Sequence, residues 1–310
     1  MSDKFLCPME KRPFRLLYFG MLGTFSRPPL AALLTSPLVE VVGIVIPQPR
    51  LTPSQLAIEP LPPALVTHSL LLTPTVQQDI RYLGWQRNIP VFALRQPHDP
   101  AVVPLLAQLA PDVGCVACFS RRIPNDLLAL PPHGFFNLHP SLLPAYRGPE
   151  PLFWLLRDGA QPGVTVHLMT EELDKGDVVA QTAVSLPDGS SSDEAEWHCA
   201  SVGADLLLQT LADLKNGTLS RQPQGTGTTF PNPRPTDFFV DTRWSAQRAF
   251  NFMRGTAVFQ HPYRIMGLDG ELWAKTAVGY HPTEQLGQPV VFGEKTAVVQ
   301  FNPGTVEISL

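Results

Sequence analysis

The chain has 310 residues, 44% hydrophobic and 16% charged, which supplies a buried core, leaves room for a large and a small domain, and argues against wholesale disorder. A formal charge of −4 excludes a surface that is basic throughout, so a polyanionic partner would need a local basic patch. No apolar run reaches the roughly 18–20 residues of a spanning helix, and the start "MSDKFLCPMEKRPF" lacks the apolar core of a secretory signal; a cytoplasmic protein with no membrane partner is expected.

In chain order, "FRLLYFGM" from Phe14 predicts a buried strand, and "SRPPLAALLTS" predicts a helix with a serine start and early prolines. "VEVVGIVIP" is a second strand, and residues 47–75, rich in Pro, Thr and Leu without a steady period, read as a long loop. "TVQQDIRYLGWQRN" is helical, "IPVFAL" a strand, "DPAVVPLLAQLA" a helix, "DVGCVACF" a strand, "IPNDLLAL" a short helix and "GFFNLH" a strand. This alternation implies an α/β fold, a Rossmann-like, mostly parallel sheet with helices on both faces. "PEPLFWLLRDG" then predicts a helix, "GVTVHLMT" and "DVVAQTAVSL" two strands, and 191–216 one long helix with acids in its first turn and Gly217 past its end.

Residues 218–237 are rich in Pro, Gly and Thr and read as a linker between a catalytic domain, 1–217, and a small β-rich domain, 238–310. In the latter, "WSAQRAFNFMRG" is a helix, and "YRIMGL", "ELWAKTAVGY", "PVVFG" and "AVVQF" are short strands. The region is shorter than a full oligonucleotide-binding barrel, hence OB-like but truncated. Cysteines at 7, 115, 118 and 199 are too scattered for a disulfide framework. Cys115 and Cys118 read as buried thiols on opposite faces of one strand.

Common signatures are missing. The turn after the first strand offers only Gly20 and Gly23 where a dinucleotide fingerprint needs three glycines, and neither a Walker loop nor a G-x-S-x-G elbow occurs. The eight histidines do not cluster into a ligand set, so no metal is expected.

The informative stretch is "GFFNLHPSLLPAYRGPEP", 134–151. Asn137 and His139 share parity on a strand and face one side at its carboxyl end, where open parallel sheets build their sites. There an amide and an imidazole can aim two donors at one developing oxyanion. Alternatively, Asn137 caps a turn and His139 is a satisfied core histidine. The prolines and glycine of "SLLPAYRG" favour an extended loop able to present backbone groups to a flat ligand. Asp174 and Asp177 sit in a tight Gly-containing turn, and a carboxylate reaching His139 would favour its protonated form; that turn also reads as a solvated hairpin. Thr165 and His167 alternate with apolar neighbours and line either an acceptor pocket or a sheet face under a helix. Arg254 reads as a surface arginine or a ligand contact. Ser141 has no base at nucleophile spacing and belongs to the loop.

Asn137-x-His139, "SLLPAYRG" at 141–148, "GVT" at 163–165 and "LDKGD" at 173–177 together resemble the 10-formyltetrahydrofolate-dependent formyltransferases, the family of methionyl-tRNA formyltransferase and of sugar-formylating enzymes. The order of elements fits from about residue 14 to 217, and "PRPTDFFVDTRWSAQRAFNFMRG" resembles the start of that family's C-terminal domain. The resemblance implies a catalytic trio of Asn137, His139 and Asp174. It implies 10-formyltetrahydrofolate as co-substrate, with no metal, held along Phe119, Ile123, Pro124, Ser141, Leu142, Leu143, Pro144 and Gly148. Asn137 and a protonated His139 would stabilise the oxyanion while Asp174 orients the histidine.

The acceptor is where the chain departs from the tRNA enzymes. The loop "PQPRLTPSQLAIEPLPPALVTHSL" carries one cation, Arg50, and the linker offers Arg221 and Arg234, few for a polyanion. A small amine is therefore expected: an amino-sugar, an amino-acid derivative or a carrier-bound amine. tRNA is the second choice. A formyltetrahydrofolate hydrolase and a non-catalytic folate-binding module are the rivals, and the residues before the first strand are too few for the hydrolases' regulatory domain. An oligomer through the C-terminal region is compatible with the sequence.

Overall fold

The computed structural model describes residues 12–48, 56–63 and 79–310. Strands and helices alternate through β1 (Phe14–Gly20), α1 (Arg27–Thr35), β2 (Val39–Pro47), β3 (Ile58–Leu61), α2 (Ile80–Trp85), β4 (Val91–Leu94), α3 (Val102–Ala107), β5 (Val113–Ala117), α4 (Asn125–Leu128) and β6 (Phe135–His139). Then come α5 (Pro151–Asp158), β7 (Gly163–Leu168), β8 (Val178–Ala183) and α6 (Ser192–Asn216). The strands form one eight-stranded sheet in the order β3-β4-β2-β1-β5-β6-β7-β8. β1 pairs in parallel with β2 and β5, and β2 with β4, whereas β3–β4 and β7–β8 are antiparallel. The expected mostly parallel α/β sheet is thus present.

By internal contacts the chain divides into two units: residues up to Asn137 together with Ala204–Arg221, and Leu138–Gly203 together with Gln222–Leu310. In the first, Leu16, Leu17, Tyr18 and Phe19 on β1 have no exposed surface, the pattern of a strand covered on both faces, which is why its sequence is a continuous apolar run. The reading of 47–75 as all loop is corrected where it is described: Ile58–Leu61 forms an edge strand on β4, and most of the remaining stretch lies outside the described residues. A four-residue edge strand containing Pro60 has too little periodicity to be read, although an edge position tolerates the proline. α2 begins at Ile80 because the Asp79 carboxylate accepts from the Arg81 N–H at 2.8 Å, later than the expected start; residues 75–78 lie outside the description. Cys115 is buried as expected, and burial pushes its thiol up; Cys118 lies past the end of β5, exposed, and not in the strand core.

The second unit has an aromatic core. α5 contributes Phe153, whose ring lies 5.0 Å from Phe238 and 5.3 Å from Phe252. Phe252 sits on α7 (Ala246–Gly255), and Val240, Tyr263, Ile265 and Val306 complete the cluster. The downstream strands are β9 (Phe239–Asp241), β10 (Tyr263–Met266), β11 (Leu272–Ala274), β12 (Thr276–His281), β13 (Val290–Phe292), β14 (Thr296–Gln300) and β15 (Thr305–Ser309). They form two sheets, β11-β10-β9 and β12-β15-β14-β13. The run "ELWAKTAVGY" is therefore two strands in different sheets, broken at Lys275, and β9 and β15 join those expected from the sequence. No helix among the described residues is long and apolar enough to cross a membrane.

One close approach in the first unit is testable. A Cβ at Gly114 on β5 would stand 2.2 Å from the Phe135 ring, which has no room to retreat in a packed core. Gly114→Ala should cost about 1–3 kcal/mol, read as a lower urea midpoint with an unchanged m-value.

Candidate active site

Strand alternation brings Asn137 and His139 to one side of β6, Asn137 half-buried and His139 buried. After β6 the chain turns into 140–150. This loop is held by Thr165 of β7, whose hydroxyl donates to the Ser141 carbonyl at 2.6 Å and accepts from the Leu143 N–H at 3.2 Å. The Ser141 hydroxyl turns inward to the Ala145 carbonyl, 2.7 Å away, so this serine is bound up in the loop.

The loop delivers two groups to the site. The Tyr146 carbonyl lies 2.9 Å from His139 Nε2. A carbonyl only accepts, so Nε2 carries the proton, and in the neutral ring Nδ1 holds the lone pair. The Gly148 N–H donates to Asp174 Oδ2 at 2.8 Å. Gly148 has φ 120°, and an added Cβ would stand 2.1 Å from the Phe230 carbonyl, so only glycine can present its N–H there.

Asp174, from the turn between β7 and β8, is buried, with Oδ2 3.8 Å from His139 Nδ1 and Oδ1 3.6 Å from His167 Nε2. His167 Nδ1 donates to the Leu168 carbonyl at 2.9 Å. The carboxylate thus lies between two imidazoles. His167 is the site residue that the sequence left open, and its signal was the parity it shares with Thr165 on β7.

Burial of Asp174 favours the neutral acid, but the charge of His139, the hydrogen bond and charge of His167 and the Gly148 N–H outweigh it and hold the carboxyl down, to about 2. At His139 the balance runs the other way. Burial lowers its pKa from 6.5 and outweighs the raising influence of Asp174 and of the Tyr146 carbonyl, with His167 lowering it further. The direction at His139 runs against the expected protonated ring, while Asp174 and the Tyr146 carbonyl favour it.

The remaining expected residues are distributed as follows. Phe119 follows β5, half-buried, its ring edge-on to Phe19 at 5.1 Å. Ile123 is buried, and Pro124 is half-buried at the start of α4. Leu142 and Pro144 are half-buried and Leu143 is buried. The main-chain groups expected to meet a ligand are largely engaged within the protein. Gln181 Nε2 reaches the Leu143 carbonyl at 2.8 Å, and Thr228 takes the Pro144 carbonyl and the Tyr146 N–H. Arg254 is exposed on α7. A separate cavity of about 420 Å³, lined among others by Asp158, Ser190, Arg248 and Asn251, touches none of Asn137, His139 and Asp174. Among the described residues no group of three or more His, Cys, Asp or Glu could hold a metal ion.

Residues 24–211 match the formyl transferase family profile. Methionyl-tRNA formyltransferase of Roseiflexus sp. (strain RS-1) is 36% identical over 213 residues, 68% of this chain and 60% of that protein. The chain therefore spans about three fifths of this relative's length. Among solved structures, an N-formyltransferase from Helicobacter canadensis, in complex with folinic acid and dTDP-3-aminofucose, superposes with TM-score 0.61 at 12% identity over 94% of this chain and 98% of its own. HypX from Aquifex aeolicus, in complex with tetrahydrofolic acid, gives TM-score 0.53 at 16% identity over 95% of this chain and 43% of its own. At such identities the structures speak for the fold.

Asp174→Asn removes the charge that raises His139, so the imidazole should titrate at a still lower pH. NMR titration of the His139 ring should give a midpoint below 6.5 in the unsubstituted protein and a lower one in the variant. A midpoint at or above 6.5 in the unsubstituted protein contradicts control by burial.

Proposed function

Because the chain belongs to the formyl transferase family, we propose that it moves a formyl group from 10-formyltetrahydrofolate to the amine of a small acceptor, with Asn137, His139 and Asp174 as the catalytic residues. The observation that carries the reading is the buried Asp174 carboxylate 3.8 Å from Nδ1 of the buried His139 ring.

The donor supplies an activated formyl carbon; the chain supplies orientation, hydrogen bonds and proton transfer. The Asn137 amide, at the carboxyl end of β6, donates to the formyl oxygen as negative charge gathers there. Neutral His139 takes the acceptor amine's proton on Nδ1 as the new N–C bond forms, and returns it to the leaving nitrogen as the old C–N bond breaks. Ionised Asp174 stabilises the imidazolium in between, and the Tyr146 carbonyl keeps Nε2 protonated and the ring fixed.

For the donor, the contacts we assign are Phe119, Ile123 and Pro124 after β5 and Leu142, the half-buried apolar residue of the motif loop. Ser141, Leu143, Pro144 and Gly148 are assigned to the donor as well, and they are tied into the protein's own hydrogen bonds or packing. Apolar faces of this kind fit a flat reduced pterin.

Charge supports a small acceptor. Residues 222–310 carry seven Lys or Arg against seven Asp or Glu. Several cations are engaged: Arg243 with Asp241 at 2.5 Å, Arg264 with Glu271 at 3.3 Å, and Arg248 over the Trp244 ring at 3.9 Å. A tRNA needs an excess of cations along its path. The second reading, methionyl-tRNA as acceptor, is favoured by the relatives at 36% identity.

Asn137→Ala and His139→Ala should each slow formyl transfer roughly 10²-fold or more; wild-type rates in both would remove the catalytic assignment. A mass-detected acceptor screen across amino-sugars, amino acids, carrier-bound amines and initiator methionyl-tRNA should show formyl gain on a small amine. Greater efficiency on the tRNA than on every small amine selects the second reading.

A further inference from the structure

The stretch 222–231, expected to be part of a linker, is hydrogen-bonded to the site-bearing segments. Gln222 exchanges main-chain hydrogen bonds with Val178 at 2.8 and 2.9 Å, just past the acidic turn. Thr228 donates its N–H to the Pro144 carbonyl at 3.2 Å, and its hydroxyl accepts from the Tyr146 N–H at 2.9 Å. The Phe230 N–H reaches the Arg147 carbonyl at 2.9 Å, and the Phe230 ring stacks between Tyr146 and Trp154 at 5.5 and 4.8 Å.

Within this strap one side chain joins the two halves of the site. Gln224 Nε2 donates to the carbonyls of Asp174, at 2.9 Å, and Gly176, at 2.7 Å. Its Oε1 accepts from Nε and Nη2 of buried Arg147, at 3.1 and 2.9 Å, and Arg147 Nη2 also reaches the Gly225 carbonyl at 3.0 Å. One amide thus bonds the motif loop on one side and the backbone of the proposed catalytic carboxylate on the other.

Asp174 needs such a hold. It has φ 54°, the left-handed region, which is uncommon outside glycine although aspartate adopts it more readily than most residues. Its carboxylate stands 3.8 and 3.6 Å from the two imidazoles, close enough for its charge to act on both rings. We propose that Gln224 is a positioning residue for formyl transfer, locking the Asp174 turn to the Arg147 loop so that the carboxylate stays beside His139. This rests on the reading of His139 and Asp174 as catalytic.

Two variants of the full chain separate the contacts. Gln224→Ala removes both. Gln224→Glu keeps an acceptor for Arg147 but turns a carboxylate towards the Asp174 and Gly176 carbonyls, losing the donated bonds. The groups facing His139 are Asp174 from the turn, the Tyr146 carbonyl from the loop and His167 from β7. Loosening Asp174 should therefore move the NMR titration of His139, assigned with a His139→Asn variant, to lower pH in both. Turnover should fall roughly 10- to 100-fold, the scale of a slightly misplaced catalytic group, with KM for the donor within about twofold.

An unchanged His139 titration in both variants overturns the positioning role, even if the melting temperature drops, because a purely structural glutamine lowers stability without touching the imidazole. A shift in Gln224→Ala with none in Gln224→Glu overturns the link through Asp174 and assigns the effect to Arg147. Wild-type transfer by His139→Ala is a different failure: it removes the catalytic reading itself, and with it the role assigned to Gln224.

Discussion

A carboxylate ionised inside the protein is the constraint on which the site depends. Burying Asp174 as an anion is costly unless charge and hydrogen bonds replace the lost water. Here the Gly148 N–H takes one oxygen, and His139 and His167 lie on either side. Each partner brings a demand of its own. Gly148 must be glycine, with its N–H aimed inward at φ 120°; His167 must share a face of β7 with Thr165; and the loop 141–148 must be pinned so that Tyr146 can hold His139.

The same burial separates the two titrating groups. An anion beside a histidine in water would raise the imidazole's pKa, but in this interior the cost of charging the ring prevails and its pKa falls. Asp174 is thereby held towards its anion, while burial of His139 works against a charged ring. Environments of this kind set the ionisation of neighbouring groups.

The second unit ties this chemistry to the C-terminal strands. α5 follows directly after the motif loop and carries Phe153 and Trp154 into a core completed by Phe238, Phe252 and Tyr263. The Trp154 indole donates to the Pro231 carbonyl at 2.9 Å, fixing the end of the strap that begins at Gln222. The C-terminal elements thus support the loop that holds the imidazole, whatever acceptor they meet.

Much of the frame was legible from local pattern. β2 occupies Val39–Pro47 as expected, α6 ends at Asn216 before Gly217, and Asn137 and His139 share a side of β6 by strand parity alone. These follow from periodicity and capping, which act between near neighbours in the chain. Tertiary packing decided the rest: β3 on the sheet edge, the break at Lys275, the burial of His139, the place of His167, and the bonding of 222–231 to residues about 50–80 positions earlier. A Pro/Gly/Thr-rich stretch has no period to betray its partners, and a histidine's protonation depends on how much water the fold leaves around it. Both are set by residues distant in the sequence that meet only when the chain has closed.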